Sequence, residues 1–340
     1  MRNKIVGTVP FGGVVPMPDP DFKLLHEAGV EWVRLRFLFP YVDHMGGQWN
    51  KIFLQNMEVA KRFHENGFKI MGMSFRCGIK TYDNIVGFRL WKPSTPEWVG
   101  SHESDEYYEN VKIACRDIGR MTADMVDIFQ VSNEMDIEPF RGPLSKEQAA
   151  RYLRAAATGL KEGNPKAKTS INPASPYGDG EWLLKELYGN NKDGLWDYSG
   201  IDGYFGGTEP GSPEDYKKLI DRVYELTKTP VIMHEWGYSS IGGVPDPNVK
   251  SVCEEGNWMN AWKNEHSEQE QGEYIDTAMK IFAEHPNLAG EFFFCWSDPP
   301  VCFSCGKPKC PRECGWGVID PDGIPKKSYG YLQNAIKNYF

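Results

Sequence analysis

The sequence predicts a (β/α)8 barrel, or TIM barrel, on three observations. Short apolar runs of strand length alternate with segments of helical period, and eight such pairs follow one another along the chain. The 340 residues suffice for one such barrel, which needs about 250. The alternative, an open doubly wound sheet, favours a Gly-x-Gly-x-x-Gly turn after the first strand, and none opens a helix there. We therefore expect a single domain over residues 1–340.

The predicted strands are apolar runs bounded by turn residues, as expected for parallel strands that are buried on both faces. In chain order they span 4–11, 30–39, 68–75, 127–132, 167–172, 199–205, 229–235 and 289–296. Long loops are expected after the third, seventh and eighth strands.

The helices between the strands are predicted from periodicity and from capping residues. They run from Asp19 to Gly29, over 50–66, from Asp105 to Ala123, from Ser145, over 180–189, from Ser212, over 267–285 and after Pro325. Gln148 follows Ser145 by three residues, which indicates a capping box. Pro213 follows Ser212 as expected for an N-cap residue and the first helical position.

The charge balance restricts the possible partners. The net charge is −9, with 47 acidic and 38 basic side chains. Such a surface repels phosphate backbones and anionic lipids, so neither nucleic acid nor membrane is an expected partner. The N-terminus has no apolar segment typical of a signal peptide, so the chain is expected to be cytoplasmic, or secreted if a leader has been trimmed.

Carboxylates end two of the predicted strands. The fourth ends in VSNEMD, with Asn133 and Glu134, and the seventh in VIMHEWGY, with Glu235. In a barrel these ends meet at one rim, where catalytic residues lie. One such Glu is often only a helix-cap partner or a rim ion pair. Two of them predict glycoside hydrolysis with retention, which needs carboxyls about 5–5.5 Å apart, with Glu134 as acid/base and Glu235 as nucleophile.

The Asn-Glu and Glu strand ends resemble those of clan A glycoside hydrolases, which are retaining enzymes on (β/α)8 barrels. The resemblance implies that Arg34 in WVRLRF hydrogen-bonds the nucleophile and that Asn133 holds the sugar 2-hydroxyl. It also implies that Tyr204 in IDGYFGG lies beside the nucleophile, and that Trp296 in FFFCWSD floors the sugar subsite. QVSNEMD is similar to the fourth strand end of endo-β-1,4-galactanases.

The sequence departs from the clan pattern in ways that leave its family and substrate open. Arg36 shares a strand face with Arg34, so either can be the nucleophile's partner. The third strand ends in MSFRCGIK without the His common in relatives, and Tyr204 lacks a neighbouring His.

Four of the eight cysteines form the segment CFSCGKPKCPREC, a Cys-rich loop over 302–314. They are Cys302, Cys305, Cys310 and Cys314, and this spacing predicts a tetrahedral structural zinc site. Disulfides, free thiols and another metal are the alternatives. Cys77, Cys115, Cys253 and Cys295 are scattered and are interpreted as ordinary thiols. No cofactor is expected for catalysis.

The expected partner is a carbohydrate, because the loops after the third and seventh strands are rich in aromatic rings that can stack on sugars. These residues are Tyr82, Phe88, Trp91, Trp98, Trp236, Tyr238, Trp258 and Trp262. A pocket would suit exo action on short β-glycosides, and a groove would suit an endo-acting β-glycanase on a plant polysaccharide.

Two rival hypotheses are a metal-dependent barrel isomerase or hydrolase, with Glu134, Asp202 and Glu235 as ligands, and a non-catalytic sugar-binding barrel.

Overall fold

A computed structural model describes residues 4–11, 17, 21–83, 88–189 and 194–340. The strands are β1 (Ile5–Thr8), β2 (Trp32–Arg36), β3 (Lys69–Met73), β4 (Gly78–Asp83), β5 (Phe88–Pro93), β6 (Val126–Gln130), β7 (Lys168–Ser170), β8 (Ser199–Gly203), β9 (Val231–Trp236) and β10 (Leu288–Phe293). The helices are α1 (Phe22–Ala28), α2 (Lys51–Glu65), α3 (Asp105–Met121), α4 (Glu138–Arg141), α5 (Lys146–Gly163), α6 (Asp179–Tyr188), α7 (Asp215–Thr227), α8 (Val252–Glu255), α9 (Glu268–Glu284) and α10 (Lys327–Tyr339).

Eight of these strands form one sheet in the order β7-β6-β3-β2-β1-β10-β9-β8. β1 pairs in parallel with β2 and β10, and β6 pairs in parallel with β3 and β7. The backbone N–H groups of Asp197 and Tyr198, just before β8, donate to the carbonyl of Thr169 in β7. The two outer strands of the sheet order are therefore joined through this segment. The (β/α)8 fold is confirmed, and the fourth, seventh and eighth predicted strands correspond to β6, β9 and β10.

Most helix boundaries agree with their predicted caps. Ser145 and Gln148 form the capping box at the start of α5. The start of α7 differs from the prediction, because the helix begins at Asp215 and not after Ser212. The carboxylate of Asp215 accepts a hydrogen bond from the backbone N–H of Ser212. Asp19, where the first helix is predicted to begin, lies outside the described residues. No helix in the described ranges combines the length and apolar character that crossing a bilayer requires.

The loop after the third barrel strand contains regular structure that was not predicted. β4 and β5 form an antiparallel hairpin in which Gly78 pairs with Pro93 and Asp83 with Phe88. The sequence predicted a long loop here, and the hairpin formed by GIKTYD and FRLWKP lies within it.

By backbone contacts the chain divides into two compact units. The first unit comprises Met1–Val33, Asp202–Asp221 and Ile232–Phe340, and the second comprises Arg34–Ile201 and Arg222–Val231. In the second unit, α3 and α5 pack closely because Gly159 faces α3, where an added Cβ would lie 2.0 Å from the carbonyl oxygen of Lys112. The extent of a single domain over residues 1–340 stays a prediction.

Candidate active site

Glu235 is the next-to-last residue of β9 in the first unit. Val231, Ile232 and Met233 precede it and are fully buried, so packing holds the strand in place under the carboxylate. The hydroxyl of Tyr204, just after β8, donates a hydrogen bond of 2.5 Å to Oε2 of Glu235. A phenol hydroxyl on a carboxylate stabilises its ionised form, which is the form that a nucleophile requires.

The ring of Tyr204 is supported by an aromatic wall that we define as Trp258, Phe294 and Trp316. Trp316 meets Tyr204 edge to face with ring centroids 5.0 Å apart, and Phe294 does so at 6.1 Å. Trp258 packs against Trp316 at 5.6 Å. The indole N–H of Trp316 donates to the carbonyl of Arg312 at 2.9 Å, which fixes the ring plane. Sequence reasoning did not assign Trp316, although its segment GWGV follows the Cys-rich loop.

Trp296, the predicted sugar platform, is a buried residue. Its side chain is only 2% exposed and packs edge to face on Tyr329 of α10. Its backbone N–H donates to the carbonyl of Val9. The role of Trp296 as a sugar platform stays a prediction, while the indole that contacts Tyr204 in the first unit is that of Trp316.

Several loop aromatics predicted to stack on sugars are core residues instead. Trp236, Tyr238 and Trp258 are buried, with at most 1% of each exposed. Trp91, Trp98 and Trp262 are partly exposed. The side chains of Tyr82 and Phe88 lie outside the described residues. Aromatic content in a loop did not distinguish the two groups, because burial depends on how each loop folds back onto the barrel.

Glu134 follows β6 in the second unit, on a turn with an unusual backbone. Ser132 and Glu134 have φ angles of 63° and 43°, the left-handed region that side chains other than glycine rarely adopt. The N–H of Ser132 donates to Oγ of Ser74, and the N–H of Glu134 donates to the carbonyl of Asn172. Such strain costs about 1–3 kcal/mol per residue and persists where the surroundings determine the conformation, often at functional sites.

A buried polar network lies next to Glu134. Nη1 of Arg34 donates to Oε1 of Gln130 at 2.5 Å, and Nε2 of Gln130 lies 3.0 Å from Oδ1 of Asn133. Asn172 also donates to Oδ1 of Asn133, so the amide group of Asn133 has a defined orientation. Its Nδ2 faces Oε2 of Glu134 at 3.4 Å. Three of these residues were predicted. Gln130 and Asn172 were missed, although Gln130 is the last residue of β6 and Asn172 ends the predicted run 167–172.

Arg36, the alternative partner of the nucleophile, lies in a cluster of positive charge within the second unit. Burial, followed by repulsion from Arg76 and Arg34, lowers the pKa of its guanidinium to about 9. The described hydrogen bond of Arg34 is to Gln130, and the assignment of either arginine to the nucleophile stays a prediction.

The cysteines assemble differently from the prediction. Among the described residues, the group with ligand atoms close enough for a metal ion consists of Cys253, Cys302, Cys305 and Cys310, which we call the thiol cluster. Cys253 lies on α8 and was interpreted as a scattered thiol. Cys314, which was predicted as the fourth ligand, packs in the same apolar cluster, but its sulfur is not a member of the group. No carboxylate belongs to it.

Comparisons with known proteins agree on the fold. No family model and no curated protein sequence matches the chain. Among solved structures, a Bacteroides uniformis β-glucuronidase is similar with a TM-score of 0.62 and 16% identity, covering 98% of this chain and 35% of the glucuronidase. A chain from a structural study of two fungal β-1,4-galactanases is similar with a TM-score of 0.62 and 17% identity, covering 93% of this chain and 91% of the galactanase chain. The Ignisphaera aggregans GH53 catalytic domain is similar with a TM-score of 0.61 and 18% identity, covering 97% of this chain and 91% of that domain. The chain thus spans about a third of the glucuronidase and nearly all of the other two.

Proposed function

We propose that this protein is a retaining β-glycoside hydrolase, with Glu235 as nucleophile and Glu134 as acid/base. The observation that carries the proposal is the hydrogen bond from Tyr204 to Glu235 at the end of a barrel strand. The fold supports it, because the similar solved structures described above include β-glucuronidases and β-1,4-galactanases.

The reaction proceeds by double displacement. Protonated Glu134 donates its proton to the glycosidic oxygen, while the carboxylate of Glu235 attacks the anomeric carbon and the leaving alcohol departs. This forms a covalent glycosyl-enzyme. Glu134, now ionised, takes a proton from water, which displaces Glu235 and releases the sugar with its original configuration.

The neighbouring residues position these groups. Tyr204 donates to Oε2 of Glu235 and so orients the carboxylate that attacks. The amide network orients Asn133 so that its Nδ2 lies near Glu134, where it can donate to the sugar 2-hydroxyl. Hydrogen bonds to that hydroxyl strengthen in the transition state and contribute several kcal/mol.

The proposed substrate is a β-linked glycoside or short oligosaccharide. The second candidate is endo action on a β-linked plant polysaccharide, which the partly exposed rings of Trp91, Trp98 and Trp262 favour because they can extend sugar stacking beyond one subsite. Oligosaccharides of increasing length, labelled at the reducing end, distinguish exo from endo action. Exo action releases single terminal units, whereas endo action cleaves internal bonds and releases longer fragments.

Azide rescue tests the two carboxylates separately. Glu235→Ala is expected to abolish turnover of an aryl β-glycoside, and added azide to restore it with an α-glycosyl azide as product, because azide then attacks the anomeric carbon directly. Glu134→Ala is expected to retain more activity on substrates with activated leaving groups and to yield a β-azide. Product configuration is read by NMR.

The matched control is Glu138→Ala, which removes an exposed carboxylate on α4 that pairs with Lys80. Its rate is expected to equal that of the wild type. Near-normal turnover of a true substrate by both Glu235→Ala and Glu134→Ala would refute the assignment.

A further inference from the structure

The thiol cluster has the dimensions of a metal site. Its four sulfur atoms all lie within 4.8 Å of one another, and none of the four cysteines forms a disulfide. Cys302 and Cys310 are buried, and the other two are partly exposed. Zinc–sulfur bonds of about 2.3 Å in a tetrahedron place the sulfurs about 3.8 Å apart. A shift of about 1 Å at the most distant pair therefore suffices to close the cluster around one ion.

The Cys-rich loop forms a tight turn around Cys302 and Cys305. The N–H of Cys302 donates to the carbonyl of Lys307, and the N–H of Gly306 donates to that of Cys302, with Gly306 at a φ of 72°. Within this turn the backbone N–H groups of Ser304 and Cys305 donate to the sulfur of Cys302, and that of Lys307 donates to the sulfur of Cys305. N–H groups aimed at sulfur stabilise its charged form, which is the form that binds a metal.

We propose that the thiol cluster binds one structural zinc ion through all four sulfurs. Four neutral thiols lose four protons to solvent, and the resulting thiolates with one Zn²⁺ carry a net charge of −2. Lys307, Lys309 and Arg312 lie on the same loop and offset this charge. Four protein ligands fill a tetrahedral zinc, so the ion has no open position for chemistry.

The participation of Cys253 makes this site a clamp between two loops of the first unit. α8 belongs to the loop after β9, whereas the other three ligands belong to the loop after β10. The Nζ of Lys307 also donates to the carbonyl of Cys253 at 3.0 Å. Val252, next to Cys253, packs against the cluster that contains Trp258, Trp316 and Tyr204. Through Cys253 and its neighbour Val252, the ion therefore braces the aromatic wall that supports Tyr204.

Metal analysis of the full chain tests the site without reference to catalysis. Protein purified under reducing conditions without chelators is expected to contain one equivalent of zinc. Replacement by cobalt is expected to give the visible bands of a tetrahedral ion together with sulfur-to-cobalt charge transfer. Zinc below about a tenth of an equivalent, iron in its place, or four thiols that are lost to disulfides in the native protein would each overturn the proposal.

Two matched variants decide which cysteine is the fourth ligand. Cys253→Ser is expected to lower zinc affinity by about 10-fold or more and to change the cobalt spectrum, whereas Cys314→Ser is expected to keep one equivalent and an unchanged spectrum. The reverse result would overturn the assignment of Cys253.

Alkylation of the wild type gives a second readout if Cys253→Ser does not fold. With zinc bound, Cys253 is expected to resist iodoacetamide, and after chelation it is expected to react, as mapped by peptide mass spectrometry. Equal labelling of Cys253 with and without the chelator would overturn the proposal.

Discussion

Tyr204 and Glu235 show how a pair of side chains depends on residues around it. The hydroxyl of Tyr204 donates to Glu235, and this hydrogen bond depends on the orientation of the Tyr204 ring. The ring of Trp316 packs edge to face against it, with centroids 5.0 Å apart, and so maintains that orientation. Trp316 is in turn held by the carbonyl of Arg312. The contacts of Tyr204 with Glu235 and Trp316 join side chains that are far apart in sequence, so the position of the Glu235 carboxylate depends on packing as well as on its strand.

Removing the Tyr204 hydroxyl tests this pair. Tyr204→Phe keeps the ring packing but removes a hydrogen-bond donor from the carboxylate of Glu235, which weakens transition-state stabilisation. A hydrogen bond to a charged group contributes about 1.5–3 kcal/mol, so kcat/KM is expected to fall about 10- to 100-fold.

Tyr177→Phe is the control, because Tyr177 is 64% exposed. Its rate and pH profile are expected to match those of the wild type. A kcat/KM of Tyr204→Phe equal to that of the wild type would mean that the hydroxyl does not act on the carboxylate of Glu235.

At the scale of elements, the contact between α3 and α5 depends on glycine. An alanine Cβ at Gly159 would lie 2.0 Å from a backbone carbonyl of α3, which cannot move away without displacing the helix. Gly159→Ala is therefore expected to lower the free energy of unfolding by about 1–3 kcal/mol, the usual cost of overpacking. Denaturant unfolding followed by circular dichroism measures it.

Gly330→Ala in α10 is the matched control. An added Cβ there meets nothing within 4 Å, so the better helix propensity of alanine is expected to stabilise the protein by about 0.5–1 kcal/mol. Destabilisation of the two variants to the same extent would show that close helix packing is not the reason for Gly159.

The helices and strands differ in how well sequence predicts them. α5 begins at its predicted capping box, because the box is a contact between residues three apart. The hairpin of β4 and β5 was missed, and α7 begins later than its Ser-Pro signal indicates. In both places the local signal competes with another, loop composition in the first and the Asp215 carboxylate in the second.

At the scale of the whole molecule, Glu291 on β10 couples stability to pH. Burial raises the pKa of its carboxyl from 4.5 to about 8, although Trp236 donates to its Oε2. Glu291 is thus neutral in the folded chain at pH 7 and ionised in the unfolded chain. The folded state binds the extra proton, so the stability that this group contributes is complete below pH 4.5 and is lost as the pH rises towards 8.

Glu291→Gln keeps the shape of the side chain and removes this titration. The free energy of unfolding of the variant relative to that of the wild type is expected to rise steadily between pH 5 and 8, by at most about 1.4 kcal/mol per pH unit. The difference between the two melting temperatures, measured across this pH range, follows it. Glu58→Gln, which changes an exposed carboxyl on α2, is expected to show no such trend. A constant difference for Glu291→Gln across this range would mean that Glu291 is ionised alike in both states.

The sequence by itself determined the eight strand–helix units, most of their caps and the strand ends that carry Glu134 and Glu235. These features are local, since periodicity, caps and strand ends depend on residues a few positions apart. Only the tertiary structure decided that Cys253 replaces Cys314 in the thiol cluster, that Trp316 supports Tyr204, and that Gln130 and Asn172 orient Asn133. The physical reason is that, apart from the hydrogen bond between Gln130 and Asn133, each of these contacts joins residues from different strands or loops, and its partners become neighbours only when the chain has folded.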